Sequence, residues 1–208
     1  MMETKLIYIM DPLCGWCYGS ADNLLKLTQQ YAGRLAVEII PAGMWAGINV
    51  RTQSRAMAQY FIRHDRQIEA LTGTTFGADY FAFLGKEVIL DSEVPSRAIM
   101  AVQQLAPEKA VVFMVKVQQA RYLHGKDFNN TQVYLDICQE LGIDTGVFQE
   151  CFTAASLQTL TLHAFEKATS YASAYPSLFI EHNGRRILLE QGYASYAELD
   201  ESVASVLN

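Results

Sequence analysis

Cys14-Gly15-Trp16-Cys17 is the stretch of this chain whose residue types and spacing can do chemistry. Two cysteines with two residues between them can cycle between dithiol and disulfide, or can supply half of a zinc site. Redox work needs one sulfur to ionise, because the thiolate is the species that attacks a disulfide. The short apolar run Lys5 to Met10 leads into Asp11–Pro12 and then Cys14, and helical spacing follows to about Gln30. That context predicts Cys14 at a helix N-terminus, where unpaired N–H groups and the positive end of the dipole favour a thiolate. Cys17 then stands about one turn further in, within reach of a mixed disulfide formed at Cys14.

The zinc alternative needs two more ligands. Cys138 and Cys151 are separated by twelve residues and sit among apolar neighbours such as Ile137 and Phe152. Free cysteine in such a setting packs as a small hydrophobe. The four histidines form no HxxxH or similar pair. The expectation is therefore no metal and no cofactor, with the chemistry carried by two thiols.

The elements that must position this pair follow from periodicity and punctuation. Lys5–Met10 reads as a central strand buried on both faces, and Leu35–Ile40 as a second strand closed by Pro41. With the helix between them, these form a right-handed crossover and a parallel pair. From about Thr52 to Thr169 the pattern is helical: Thr52–His64, Ala78–Leu84, Ser96–Leu105, Pro107–His124, Thr131–Leu141, Thr145–Ala154 and Leu157–Ser170. Asn130, Asp144 and Ser156 are the expected N-caps. Ser177–Glu181 and Arg186–Glu190 predict a hairpin around Asn183–Gly184, and Tyr196–Leu207 a closing amphipathic helix. The order is βαβ, a helical block, then αββα, an α/β class with no internal repeat.

Bulk composition sets the outer limits. The chain has 208 residues, half of them hydrophobic, which is enough for one compact domain or one domain with a sizeable insertion. Sixteen basic against 22 acidic residues leave −6, with no clustered Lys and Arg to serve as a nucleic-acid footprint. No run is apolar enough to cross a bilayer, and the first ten residues lack a secretory pattern. The expected setting is cytoplasmic, with reduced cysteines.

The stretch DPLCGWCYG resembles the cysteine motif of cytoplasmic DsbA-like proteins, the FrnE-like group among them. YPSLFI, NGRRI and QGY resemble that family's cis-proline strand, hairpin and glycine turn, while ARYLHGKDFNN and ELGID resemble its helical insertion. The resemblance implies a thioredoxin fold with a large all-helical insertion: residues 1–51 and 156–208 as a discontinuous thioredoxin-like domain, and 52–155 as the insertion. It also implies Cys14 as exposed nucleophile, Cys17 as resolving thiol, Gly15 and Trp16 as the intervening pair that tunes the redox potential, and Tyr175–Pro176, joined by a cis bond, as the substrate-binding loop facing them. The implied partners are protein or small-molecule disulfides and thiols, including glutathione.

Two departures from periplasmic DsbA point away from a strong oxidant and toward a cytosolic reductase or isomerase. No histidine lies between the cysteines, and Tyr8 stands where an acidic residue is expected. The kappa-class glutathione transferases and chromene-carboxylate isomerases share the implied architecture but place serine where Cys14 stands. A glutathione-dependent enzyme of that kind, or a thioredoxin-like binding module without catalysis, is the alternative. Asp11 is expected to form the turn before the helix. Met44, Trp45, Phe81 and Phe83 are candidates for an apolar groove, or for core.

Overall fold

In the computed structural model, which describes residues 4–207, strand β1 (Lys5–Met10) lies inside a four-stranded sheet. The expected thioredoxin-like segments at 1–3 and 208 lie outside the described residues. β1 pairs in parallel with β2 (Ala36–Pro41), the crossover running through α1 (Gly15–Gln30). On its other side β1 pairs antiparallel with β5 (Ser177–His182), which pairs with β6 (Arg185–Gln191). The sheet order is β2-β1-β5-β6.

A nearly unbroken apolar run in β1 suits this place because its alternate residues face two different layers. Leu6, Tyr8 and Met10 pack with Leu24 and Leu27 of α1, while Ile7 and Ile9 pack with Ala164 and Ala168 of α8 (Ala155–Tyr171). Each fully buried Leu or Ile contributes about 1.5–3 kcal/mol relative to exposure. β2 is an edge strand, so it can end on Pro41, which pairs with Met10 without offering an N–H. In the β5–β6 turn, Asn183 and Gly184 both take positive φ, 52° and 73°, as a tight hairpin requires.

Between β2 and α8 the chain forms β3 (Arg51–Thr52), α2 (Arg55–Thr72), α3 (Ala78–Phe83), β4 (Ile89–Leu90), α4 (Glu93–Leu105), α5 (Ala110–Tyr122), α6 (Gln132–Glu140) and α7 (Thr145–Thr153). The closing helix is α9 (Tyr196–Leu207). Phe113, Tyr134 and Phe148 from this block join the same buried cluster as Leu6 and Tyr8.

Several boundaries differ from the sequence expectation. Thr52–His64 is not one helix: Arg51–Thr52 pairs with Ile89–Leu90, and the helix starts after Ser54, whose hydroxyl accepts the Met57 N–H. It then runs on to Thr72 and stops at Gly73, where φ is +75°. α4 begins at Glu93, since Pro95 is tolerated in a first turn. Asp144 caps α7 through Gly146 and Val147 N–H. Thr131, rather than Asn130, holds the cap position of α6, though the Asn130 side chain still accepts the Gln132 N–H. Ser156 caps nothing, because α8 already begins at Ala155.

Candidate active site

The strand-to-helix turn that carries the cysteines is built around Asp11. Its carboxylate is fully buried and accepts the Leu13 N–H at 2.9 Å, the Met44 N–H at 2.7 Å and the Ser92 hydroxyl at 2.9 Å. Three donors converge on one side chain, so Asp11 ties the end of β1, the loop after β2 and the start of α4 into one frame. Burial still holds its carboxyl above the usual range.

Cys14 is the N-cap of α1, with extended backbone, and its sulfur accepts the Cys17 N–H at 3.3 Å. Its thiol reaches the Tyr175 carbonyl at 3.7 Å. Cys17 lies behind it, wholly buried; its sulfur accepts the Asp11 N–H at 3.5 Å, and burial first, then Cys14, push its thiol well above the usual range. Both cysteines are free thiols. Cys14 is the more accessible of the two at 7% against 0%, but it is not openly exposed as the resemblance implied. The walls of a cavity fold over it. Tyr175, joined to Pro176 by a cis peptide bond, lines the same cavity.

That cavity, about 280 Å³, brings together Cys14, Gly15, Trp16, Met44, Trp45 and Tyr175 with a wall from α2, α3 and α5. Met44 and Trp45 line it. Phe83 is core, and Phe81 packs against the cluster of Tyr80 and Phe76, so neither lines it. Trp16 Nε1 donates to His64 Nε2 at 3.1 Å, and burial lowers the tendency of His64 to take a proton. Asp65 sits over Gly15 and accepts the Tyr80 hydroxyl at 2.8 Å; burial pushes its carboxyl up to about 7. Arg121 completes the wall.

The α2–α5 wall is what sequence reasoning missed. Asp65 and Arg121 nonetheless stand in the sequence as charges on apolar stripes: 58, 61, 65 and 68 in α2, and 110, 114, 117 and 121 in α5. A charge at a stripe position is either paired or functional.

The first strand carries no acid beside the cysteines, but one lies further along the sheet. Tyr8 is fully buried and donates to the Cys17 carbonyl at 3.3 Å. Tyr8 pairs with Leu178, which pairs with Glu190, so the three form one row across the sheet. Glu190 is buried against the Ser20 hydroxyl and the Ala194 N–H, and burial raises its carboxyl to about 7. Cys138 is fully buried and Cys151 half-buried, and burial raises both thiols, Cys138 to about 12. Among the described residues no group of three or more His, Cys, Asp or Glu side chains is placed to hold a metal, and no helix is long and apolar enough to cross a membrane.

A family model described as Thioredoxin matches residues 7–167. No curated protein matches the sequence. Among solved structures, a candidate protein disulfide isomerase from Nitrosomonas europaea is 26% identical, with a TM-score of 0.86 over 98% of this chain and 97% of that one. The cytosolic disulfide reductase DsbM from Pseudomonas aeruginosa is 27% identical, with a TM-score of 0.80 and 97% of each chain covered. The same reductase solved with GSH is 25% identical, with a TM-score of 0.79 over 97% of this chain and 98% of that one. The family match spans most of the chain, the solved relatives share nearly its full length, and the chain belongs to the DsbA-like thioredoxin family.

Proposed function

We propose that this protein is a thiol–disulfide oxidoreductase that works through Cys14 and Cys17, in the direction of reduction or isomerisation, in the cytoplasm. One observation carries the reading: Cys14 sits at the N-cap of α1 with the Cys17 N–H aimed at its sulfur, at the mouth of a cavity, while Cys17 waits behind it. A helix start turns its unpaired backbone N–H groups toward a sulfur at the cap position, which is where the attacking sulfur of an exchange reaction is needed.

The exchange runs in two displacements. The Cys14 thiolate attacks a substrate disulfide, forming a Cys14–substrate S–S bond and releasing one substrate thiolate. Cys17 gives up its proton and attacks the Cys14 sulfur, which frees the second substrate thiolate and leaves the Cys14–Cys17 disulfide. The substrate gains two electrons and the dithiol loses two. Two equivalents of a small thiol such as glutathione return the pair to the dithiol, becoming a disulfide themselves. The relative solved with GSH supports glutathione as that thiol.

Tyr175 and Pro176 form the substrate-facing loop in this reading. The Tyr175 carbonyl lies beside the Cys14 sulfur, and Pro176 has no N–H to compete for the thiolate. Gly15 and Trp16 tune the pair through the α2 side chains they touch. Residues 52–155 act as the insertion that roofs the site. The intact Cys14, where the glutathione transferase-like branch carries serine, favours exchange over that branch.

The test is trapping. With oxidised glutathione, the Cys17→Ser variant should accumulate one glutathione on Cys14, located by peptide mass mapping, and Cys14→Ser should accumulate none at position 17. Glutathione found on Cys138 or Cys151 instead would overturn the proposal.

A further inference from the structure

We infer that Arg121 is the carboxylate-binding residue of the cavity beside Cys14, so that the small thiol or disulfide taken there is an anion. The inference rests on the proposed exchange chemistry and adds the ligand's recognition group to it. Arg121 lies on α5 and is only 4% exposed, and what it does expose lines the cavity that holds Cys14. Its guanidinium carbon stands 5.3 Å from the Phe83 ring centre, 5.6 Å from that of Phe128 and 6.0 Å from that of Tyr80. These rings hold the cation in place without using its N–H donors. Among the described residues its side chain makes no hydrogen bond and no ion pair.

A guanidinium stays protonated in proteins and carries five donors. None of its nitrogens is among the sealed, unpartnered polar atoms of the interior, so these donors open onto the cavity and are available to a ligand there. The candidate partner inside the protein is Asp65, which feels the charge of Arg121 but is not bonded to it. One Asp65 oxygen accepts the Tyr80 hydroxyl, the other faces Gly15, and burial leaves the group only partly ionised near neutrality. The planar fork of Arg121 is therefore free to take two oxygens of a carboxylate in parallel. Such a ligand would lie across the aromatic wall with its sulfur toward Cys14.

The experiment compares glutathione disulfide with its tetraethyl ester, whose leaving thiols are alike and in which all four carboxylates are masked. Pre-reduced wild-type protein, in a single turnover with its own dithiol as reductant, should react with the free acid with a second-order rate constant at least about tenfold above that for the ester, the scale of a charge-assisted hydrogen bond. In Arg121→Gln that ratio should collapse toward one, with the change carried by the half-saturating disulfide concentration rather than by the limiting rate. Equal rates on acid and ester in the wild type would overturn the inference without any variant. So would a variant that keeps its native circular dichroism and the wild-type ratio. A second readout does not need turnover: in Cys14→Ser protein, reduced glutathione measured by calorimetry should bind about tenfold more weakly once Arg121 is Gln. Absence of exchange with that loss of binding would overturn the exchange reading and leave the carboxylate site standing; unchanged binding would overturn the site.

Discussion

Asp65 stands directly over Gly15: a Cβ built at residue 15 would lie 2.7 Å from Asp65 Oδ1 and 3.0 Å from Ile68 Cδ1. The glycine in the cysteine motif is therefore the imprint of α2 pressing on the start of α1. Gly15→Ala should cost about 1–2 kcal/mol, read from urea unfolding, since Asp65 is held by Tyr80 and cannot swing away freely. In an Asp65→Ala background the same change should cost much less. Equal costs in both backgrounds would show that the contact does not constrain residue 15.

Stability should fall as pH rises through the acidic range. Asp65 and Glu190 are each raised by burial to about 7, from ordinary values of 3.8 and 4.5. Between those ordinary values and about 7 the folded state holds protons that the unfolded chain has released. The stabilisation is fully present below about pH 4 and is lost by about pH 7, on the order of 1–3 kcal/mol per group. Asp65→Asn and Glu190→Gln should each flatten the dependence of the urea midpoint on pH. An unchanged slope in either variant would contradict the assignment for that group.

The two acids also mark what the sequence made legible and what it did not. The cysteine motif, β1 and the Asn183–Gly184 hairpin are local, so their chemistry is written in neighbouring residues. Glu190 reaches the Tyr8 row only through two strand pairings, with an irregular register between Leu178 and Phe179. No spacing rule links position 8 to position 190. The α2 and α5 wall depends likewise on how two helices fold over the motif, so Asp65 and Arg121 showed only as charges out of pattern. The start of α2 was missed for a smaller reason: a two-residue strand pair, Arg51–Thr52 with Ile89–Leu90, leaves almost no periodic trace.

Trp16 should report on His64. Its indole N–H donates to Nε2, which must be unprotonated, and burial disfavours the protonated ring. With the folded-state value depressed below 6.5, the contact is intact above that pH and breaks as pH falls through the lower value. In a Trp45→Phe, Asp65→Asn background, which removes the neighbouring carboxyl raised to about 7, Trp16 fluorescence should stay flat from pH 8 to about 6.5 and change below it. A transition above 6.5, or one that survives His64→Phe, would contradict the pairing.

Cys138 and Cys151 should be structural. Burial raises both thiols, and they sit in or against the helical core, apart from the motif. Their double replacement by Ala should lower stability by about 1–2 kcal/mol and leave disulfide turnover within about twofold. Loss of turnover with a native fold would reveal a second redox pair.

The most direct measurement equilibrates the protein against defined ratios of reduced to oxidised glutathione and follows the Cys14–Cys17 disulfide by thiol-trapping mass spectrometry. One two-electron transition is expected, confined to that pair, with a potential in the range of reductases and glutaredoxins, about −270 to −200 mV. No Cys14–Cys17 disulfide at any ratio would contradict the exchange mechanism, and a potential near that of a strong oxidant, about −120 mV, would reverse its direction.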